Sequence, residues 1–284
     1  MIYRDWYRQY LQLYKRKLAP KTRESYDHVT EAYIFPAMGA VELADVTPEH
    51  VQMAINAAAD RGGRQAQVVY SVAHAVMRRA YRSRLIPWNP VDAIDKPEHD
   101  QEQGKALSAA DLQTAEPLIL DDLALSLALF AGLRRGEICG LQWQDVDLKA
   151  GTLRVRRQRC RANGELIIKA PKSRAGVRDI PIAPELLPRL RAAYRLAPRD
   201  WVVDVSPEAI TRRWTKLQKR ELSLEEHYRL HDLRHTYGSR LVLAGVNLRV
   251  VQYLMGHSKI DITMRVYSHC RASDARQEII RVFG

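Results

Sequence analysis

Three cysteines in 284 residues, Cys139, Cys160 and Cys270, are too few and too scattered to organise a fold. They form no C-x-x-C pair and their number is odd, which argues against a disulfide framework and against a zinc knuckle. Such sparing use fits a reducing cytoplasm. No apolar run approaches the roughly 20 residues of a membrane span, so no membrane role is expected. The opening MIYRDWYRQYLQLYKRK is too charged for a secretory signal. Internal repeats and low-complexity tracts are also lacking. Acidic residues are in deficit: 33 Asp and Glu face 45 Lys and Arg, a formal +12. Residues 1–95 hold 13 Lys/Arg against 10 Asp/Glu, so +9 of that charge lies downstream. A field of this sign favours a polyanionic partner, of which nucleic acid is the commonest. Hydrophobic residues at 46% are enough for a core, and the length suits one large or two ordinary domains.

The apolar pattern is helical first and mixed later. Trp6, Tyr10, Leu11 and Tyr14 predict an amphipathic helix over 4–17. A second pattern runs over 22–33, after the break at Pro20. Thr47-Pro48-Glu49 is a helix start, with a threonine cap, a proline in the first turn and an early acid. Residues 64–84 predict a long helix with Val68, Val69, Val72, Ala75, Val76 and Ala80 inward, and with Arg78, Arg79, Arg82 and Arg84 lining its end. Residues 1–95 are thus expected to be a helical domain without a sheet. The polar stretch 96–105, KPEHDQEQGK, is expected to be a linker. Residues 106–284 are expected to be a second domain, mostly helical, with one small antiparallel sheet. In that sheet Leu153–Val155 and Leu166–Ile168 would be joined through Asn163-Gly164, and Asp179–Ile182 would be a third strand beyond the basic turn Lys172–Gly176. A short strand at Trp201–Val203 is also expected. The fold class is mainly α with a small antiparallel β-sheet (α+β).

Four places carry chemistry. In Gly132-Leu133-Arg134-Arg135-Gly136-Glu137, an arginine follows a glycine break at a helix start. Its planar fork suits phosphate oxygens, and Glu137 can orient a basic group beside it. Lys172 lies in the turn of the sheet, from which a lysine can reach a leaving oxygen. His231 and Arg234, three apart, share a helix face. Finally, Gly256 exposes His257, and ten residues later comes Tyr267, a hydroxyl that can act as a nucleophile if cations assist it. Taken singly, each of these is an ordinary surface or core residue. His231 and His235, four apart, also suggest a pair of metal ligands. Asp232 stands where the H-E-x-x-H motif needs glutamate, however, and Arg234 sits between the histidines, so no metal site is expected.

In this order and spacing the stretches GLRRGE, PKS, HDLRH, LMGHS and MRVYSH resemble the tyrosine recombinase (phage integrase) family over nearly the whole chain. The resemblance implies that Arg134 and Arg234 clamp a DNA phosphate and that Lys172 protonates the leaving 5′ oxygen. It also implies that His231 is the general acid and base, that His257 holds the phosphate, and that Tyr267 is the nucleophile. Glu137 matches the family's supporting acid. Arg135 rivals Arg134, but the family places its arginine directly after Gly-Leu.

The same resemblance implies a SAM-like, core-binding helical domain over 1–95, with Arg78, Arg79, Arg82 and Arg84 on DNA phosphates, and a catalytic domain over 106–284. The expected partners are double-stranded DNA core sites and other copies of the chain in a tetramer, working through a Holliday junction; an accessory or directionality factor is a further candidate. No cofactor is needed, because the bond energy is kept in a 3′-phosphotyrosyl link. The wording of the motifs points to phage or mobile-element integration. A Xer-like dimer resolvase and a catalytically silent DNA-binding protein of the same fold are the alternatives. A further N-terminal arm-binding domain is not expected in this chain, unless the chain is a fragment. A short helix over 273–282 is expected to dock on a neighbouring protomer.

Overall fold

The computed structural model describes residues 1–99, 104–162, 164–171, 173–196 and 200–258. The chain divides into two units, Met1–Glu102 and Gln103–Gly284.

In the first unit, helix α1 (Tyr3–Tyr14) turns Tyr3, Trp6, Tyr7, Tyr10 and Leu11 inward, an i, i+3/i+4 stripe. It stops short of the predicted residue 17. α2 (Pro20–Val29) begins on a proline whose missing N–H is not needed in a first turn. It continues through a wide π turn, Thr30–Ile34, into α3 (Phe35–Met38). The widening lies just before Pro36, whose ring would otherwise meet the carbonyl four residues back. α4 (Pro48–Ala59) starts on Thr47 as expected. α5 (Gly63–Arg82) buries Ala66, Val69, Val72, Ala73, Val76, Met77 and Ala80. Val68 and Ala75, expected inward, are only half-buried. The Trp6 indole donates to the Val76 carbonyl at 3.1 Å and so fixes α1 to α5.

In the second unit the helices are α6 (Ala109–Asp121), α7 (Leu123–Phe130), α8 (Arg135–Gly140), α9 (Leu186–Leu196), α10 (Pro207–Arg220), α11 (Leu230–Leu243) and α12 (Leu248–Met255). The Ser108 hydroxyl caps α6 by accepting from the Asp111 amide at 3.1 Å. α7 is apolar except for Ser126, whose hydroxyl donates to the Ile119 carbonyl at 2.8 Å, and Ala124 through Phe130 are all buried. Such a helix belongs at the centre of a core, and α11 packs directly on it. Each fully buried aliphatic side chain there contributes about 1.5–3 kcal/mol.

The strands are β1 (Val146–Asp147), β2 (Thr152–Val155), β3 (Gln158–Ala162), β4 (Glu165–Lys169) and β5 (Arg178–Pro181). They pair differently from expectation. β1-β2-β5 form one antiparallel sheet, and β3-β4 form a separate hairpin. Leu153 faces Ile180 across the first sheet. Gly164, with φ +80°, turns the β3-β4 hairpin, whose register sets Ala162 opposite Glu165. The true partner of β4, Gln-Arg-Cys-Arg-Ala, buries only Ala162, so it has no apolar alternation to announce it. The expected strand at Trp201–Val203 reduces to a single bridge between Gln142 and Trp201. Within the segment expected as a linker, the Pro97 carbonyl accepts from Gln67 at 2.9 Å and Lys105 pairs with Glu226, so each end is tied to its own unit. Among the described residues no helix is long and apolar enough to cross a membrane.

Candidate active site

The end of α7 sets up the site. Gly132 takes φ +61°, and a Cβ on it would lie 2.3 Å from the Tyr237 ring, so both backbone and space require glycine. This bend delivers Arg134 to the cap of α8. There its amide donates to Glu137 Oε2 at 2.9 Å and its guanidinium to Oε1 at 2.7 Å. Arg135, the rival, turns outward to the Thr211 hydroxyl at 3.2 Å.

α11 brings His231 and Arg234 to the same place. Asp232 is buried and accepts from the Arg229 amide at 2.7 Å, capping the helix. Its carboxylate is therefore spent on structure. Arg234 is 1% exposed. It donates Nη1 to the Gly132 carbonyl and Nη2 to the Met255 carbonyl. Its Nε is buried with no partner among the described residues. The His231 and His235 rings meet edge to face, with centroids 4.8 Å apart.

The third contribution is the C-terminal end of α12. Gly256 adopts φ +59° and closes the helix in a left-handed turn. Three successive carbonyls there accept from three arginines: Leu254 from Arg178 Nε at 2.7 Å, Met255 from Arg234, and Gly256 from Arg134 Nη2 at 3.0 Å. Carbonyls at a helix C-terminus lack partners and carry negative partial charge, so they suit cations. His257 follows at once, buried, with its amide donating to the Gln252 carbonyl at 3.1 Å.

Glu137 is the anion at the centre. Arg178, whose side chain is fully buried, grips it with Nη1 to Oε1 at 3.2 Å and Nη2 to Oε2 at 2.9 Å. Arg234 Nη1 lies 4.0 Å from Oε2. Burial would raise the carboxyl's pKa, but Arg178, then Arg134 and Arg234, outweigh it and hold the group at about 2. Three guanidinium ions and one carboxylate leave the cluster a formal +2. Arg234 is pushed well below its ordinary pKa, by burial first and by the Arg134 charge next. Burial and the same cations lower His257 to about 3. His231 is also lowered to about 3, by burial, then by His235, Arg234, Arg134 and Arg229. His231 is nonetheless exposed on the first turn of α11, and the charges of Arg234, Arg134 and Arg229 lower it in the same direction as burial.

These shifts make the fold acid-sensitive. The folded histidines bind protons less readily than the unfolded chain, so their stabilisation is full above about pH 6.5 and falls as pH drops toward 3. Glu137 adds a further loss between its unfolded value near 4.5 and about 2. Thermal melts of the full chain should therefore show Tm falling from pH 7 to 4, and His257→Gln should flatten that fall. An unchanged slope in the variant would contradict the assignment.

Arg134, Glu137, His231, Arg234 and His257 thus come together from α8, α11 and the end of α12. Lys172 and Tyr267 lie outside the described residues, as do His269 and the expected helix over 273–282. In the first unit Arg78 and Arg82 are exposed on α5, and Arg84 sits past its end at φ +57°. The Arg79 guanidinium lies 3.7 Å from the centre of the Tyr14 ring. Sequence reading missed Arg178. The available signal was its register: in Arg178-Asp179-Ile180 the arginine shares the inward face of the strand with Ile180.

Comparison with known proteins agrees with this geometry. Residues 100–274 match the model of the phage integrase family, and residues 2–58 match the phage integrase N-terminal SAM-like domain. The integrase of Mycobacterium phage L5 is 26% identical, over 94% of this chain and 75% of its own length. A tyrosine recombinase XerC of Xanthomonas campestris is 27% identical, over 90% of this chain and 80% of its own. Among solved structures, the Tn1549 transposon integrase in complex with a circular intermediate DNA superimposes with a TM-score of 0.83 at 22% identity, over 99% of both chains. With more than half of its length under one family model, and with arginines from two helices gathered around one buried glutamate, the chain belongs to the phage integrase family of site-specific tyrosine recombinases.

Proposed function

We propose that the cluster is a phosphate clamp for DNA strand exchange, in which Tyr267 attacks a backbone phosphate held by Arg134, Arg234 and His257. The observation that carries this reading is the formal +2 of the cluster together with the buried Nε of Arg234, which has no partner among the described residues. A buried donor without an acceptor costs about 1–3 kcal/mol, and an oxyanion bound at the cluster would satisfy it. In the reaction the Tyr267 oxygen forms a bond to phosphorus and the bond to the 5′ oxygen breaks. Lys172 supplies the proton to that oxygen. His231, neutral at pH 7 in the free protein, takes the tyrosine proton. Charge developing on the phosphate is met by fixed cations, which do the work that magnesium does in many phosphoryl-transfer enzymes. The lost backbone bond is conserved as a 3′-phosphotyrosyl link, so rejoining needs no nucleotide.

The substrate is double-stranded DNA at core sites. The first unit contributes phosphate contacts through Arg78 and Arg82, with Arg84 close behind; Arg79 supports them by holding its place against Tyr14. A lambda integrase tetramer has been seen bound to a Holliday junction, and assembly of four copies on two sites is the corresponding state for this chain. An accessory factor would set direction. Mobile-element integration is the favoured role on the wording of GLRRGE, PKS and MRVYSH; phage and XerC relatives match comparable shares of the chain, and a Xer-like resolvase role is the alternative.

The test is a DNA site selected by the protein from a random-sequence pool, nicked at stepped positions and incubated in EDTA. A covalent protein–DNA adduct that survives SDS is expected. Its abolition by EDTA, or no adduct at any nick position, would overturn the proposal.

A further inference from the structure

Arg178 belongs to none of the motifs that led to the site, yet it is buried at its centre. Its side chain is fully buried and all three of its nitrogens are used: Nε on the Leu254 carbonyl, Nη1 on Glu137 and the Gly176 carbonyl, and Nη2 on Glu137. We propose that Arg178 is a positioning residue for strand cleavage: it occupies the Glu137 carboxylate and thereby leaves Arg134 and Arg234 aimed at the phosphate.

The argument is a count of acceptors. A carboxylate offers about four lone-pair sites. Here Oε1 receives Arg134 Nη1 at 2.7 Å and Arg178 Nη1 at 3.2 Å, and Oε2 receives the Arg134 amide at 2.9 Å and Arg178 Nη2 at 2.9 Å. The carboxylate is therefore full, and Arg234, with its nearest nitrogen at 4.0 Å, is left out. Among the described residues Arg234 donates hydrogen bonds only to neutral carbonyls, makes none to the carboxylate, and has no partner for its Nε. Without Arg178 two lone-pair sites would open, and Arg234 is the cation placed to fill them. The clamp would then close on its own glutamate instead of on DNA.

A second contact works in the same direction. By taking the Leu254 carbonyl, Arg178 sets the register in which Met255 and Gly256 receive the other two arginines. A Cβ at Gly256 would lie 2.9 Å from Arg178 Nη1, so this turn is built around the guanidinium. Lysine cannot substitute, because one ammonium cannot reach both carboxylate oxygens and the carbonyl in a fixed plane.

The inference rests on the phosphate-clamp reading, and the test separates the two. Tungstate, a tetrahedral dianion, serves as the probe and is titrated calorimetrically into the full chain. The variants are Arg178→Met, Glu137→Gln/Arg178→Met and Arg234→Ala, each checked for native circular dichroism. The double variant keeps two guanidinium ions and no carboxylate, so its formal charge equals that of the unchanged cluster. Arg178→Met is expected to lose at least about tenfold in tungstate affinity, and the double variant to recover to within about threefold of the unchanged chain. A purely structural role would leave the double variant as weak as the single one. Arg178→Met binding as well as the unchanged chain, or no recovery in the double, would overturn the role of Arg178. Should Arg178→Met fail to fold, the equally uncharged Arg178→Gln, with and without Glu137→Gln, is read in the same way. If the unchanged chain binds no tungstate, or Arg234→Ala binds it undiminished, the clamp reading fails instead.

Discussion

Arg234→Ala is expected to lower strand cleavage by about 10³-fold while the chain still binds DNA. The size follows from where the side chain lies. It is 1% exposed, so its field acts on the phosphate with little screening by water. Its Nη atoms are anchored on the Gly132 and Met255 carbonyls, which fixes the plane of the guanidinium before substrate arrives. A donor held ready in this way serves the charge that develops during reaction, and its removal is felt in the chemical step. In the proposed mode of binding, DNA affinity rests on many phosphate contacts, so one lost contact should weaken binding only about fivefold. The measurement pairs single-turnover cleavage of a nicked site with equilibrium binding at fixed salt. Cleavage within tenfold of the unchanged chain would remove Arg234 from the clamp. Arg234→Lys should remain at least about 10²-fold impaired, because an ammonium cannot span both carbonyls and still face the phosphate.

The helical skeleton was legible because its apolar residues recur with a helical period and its caps are explicit. Thr47-Pro48-Glu49 begins a helix where it was read. The π turn before Pro36 was not legible, since nothing in the apolar pattern distinguishes it from ordinary helix. The sheet was misread for a definite reason: β4 has apolar residues and a glycine turn before it, whereas its partner β3 is polar and half-exposed, so Leu153–Val155 looked like the nearer match. At the site, order and spacing led to Arg134, Glu137, His231, Arg234 and His257, and the fold gathers all five. Order could not show what holds them. The three carbonyls at the end of α12 belong to no side chain, and Arg178 is distant in sequence from every group it touches except Gly176. Register alone hinted at it, through a charged residue on the inward face of a strand.

The larger effect is expected at Tyr267. Phenylalanine there keeps the ring and removes only the oxygen that would join to phosphorus, so no alternative partial activity is available to the site. An ordinary tyrosine, with a pKa near ~10, is protonated at neutral pH and needs a base and nearby cations to attack. In the proposed reaction Arg134, Arg234, His257 and His231 supply these, and the cluster carries its formal +2 before any DNA is present. Tyr267→Phe should therefore bind the selected site normally and give no detectable covalent adduct. The most direct test is to trap the unchanged chain on nicked DNA with SDS, digest the adduct with nuclease and protease, and locate the modified residue by mass spectrometry. The account predicts a nucleotide linked through phosphate to Tyr267 and none on the Tyr267→Phe chain. A link at any other residue, or an adduct that persists in the variant, would contradict it.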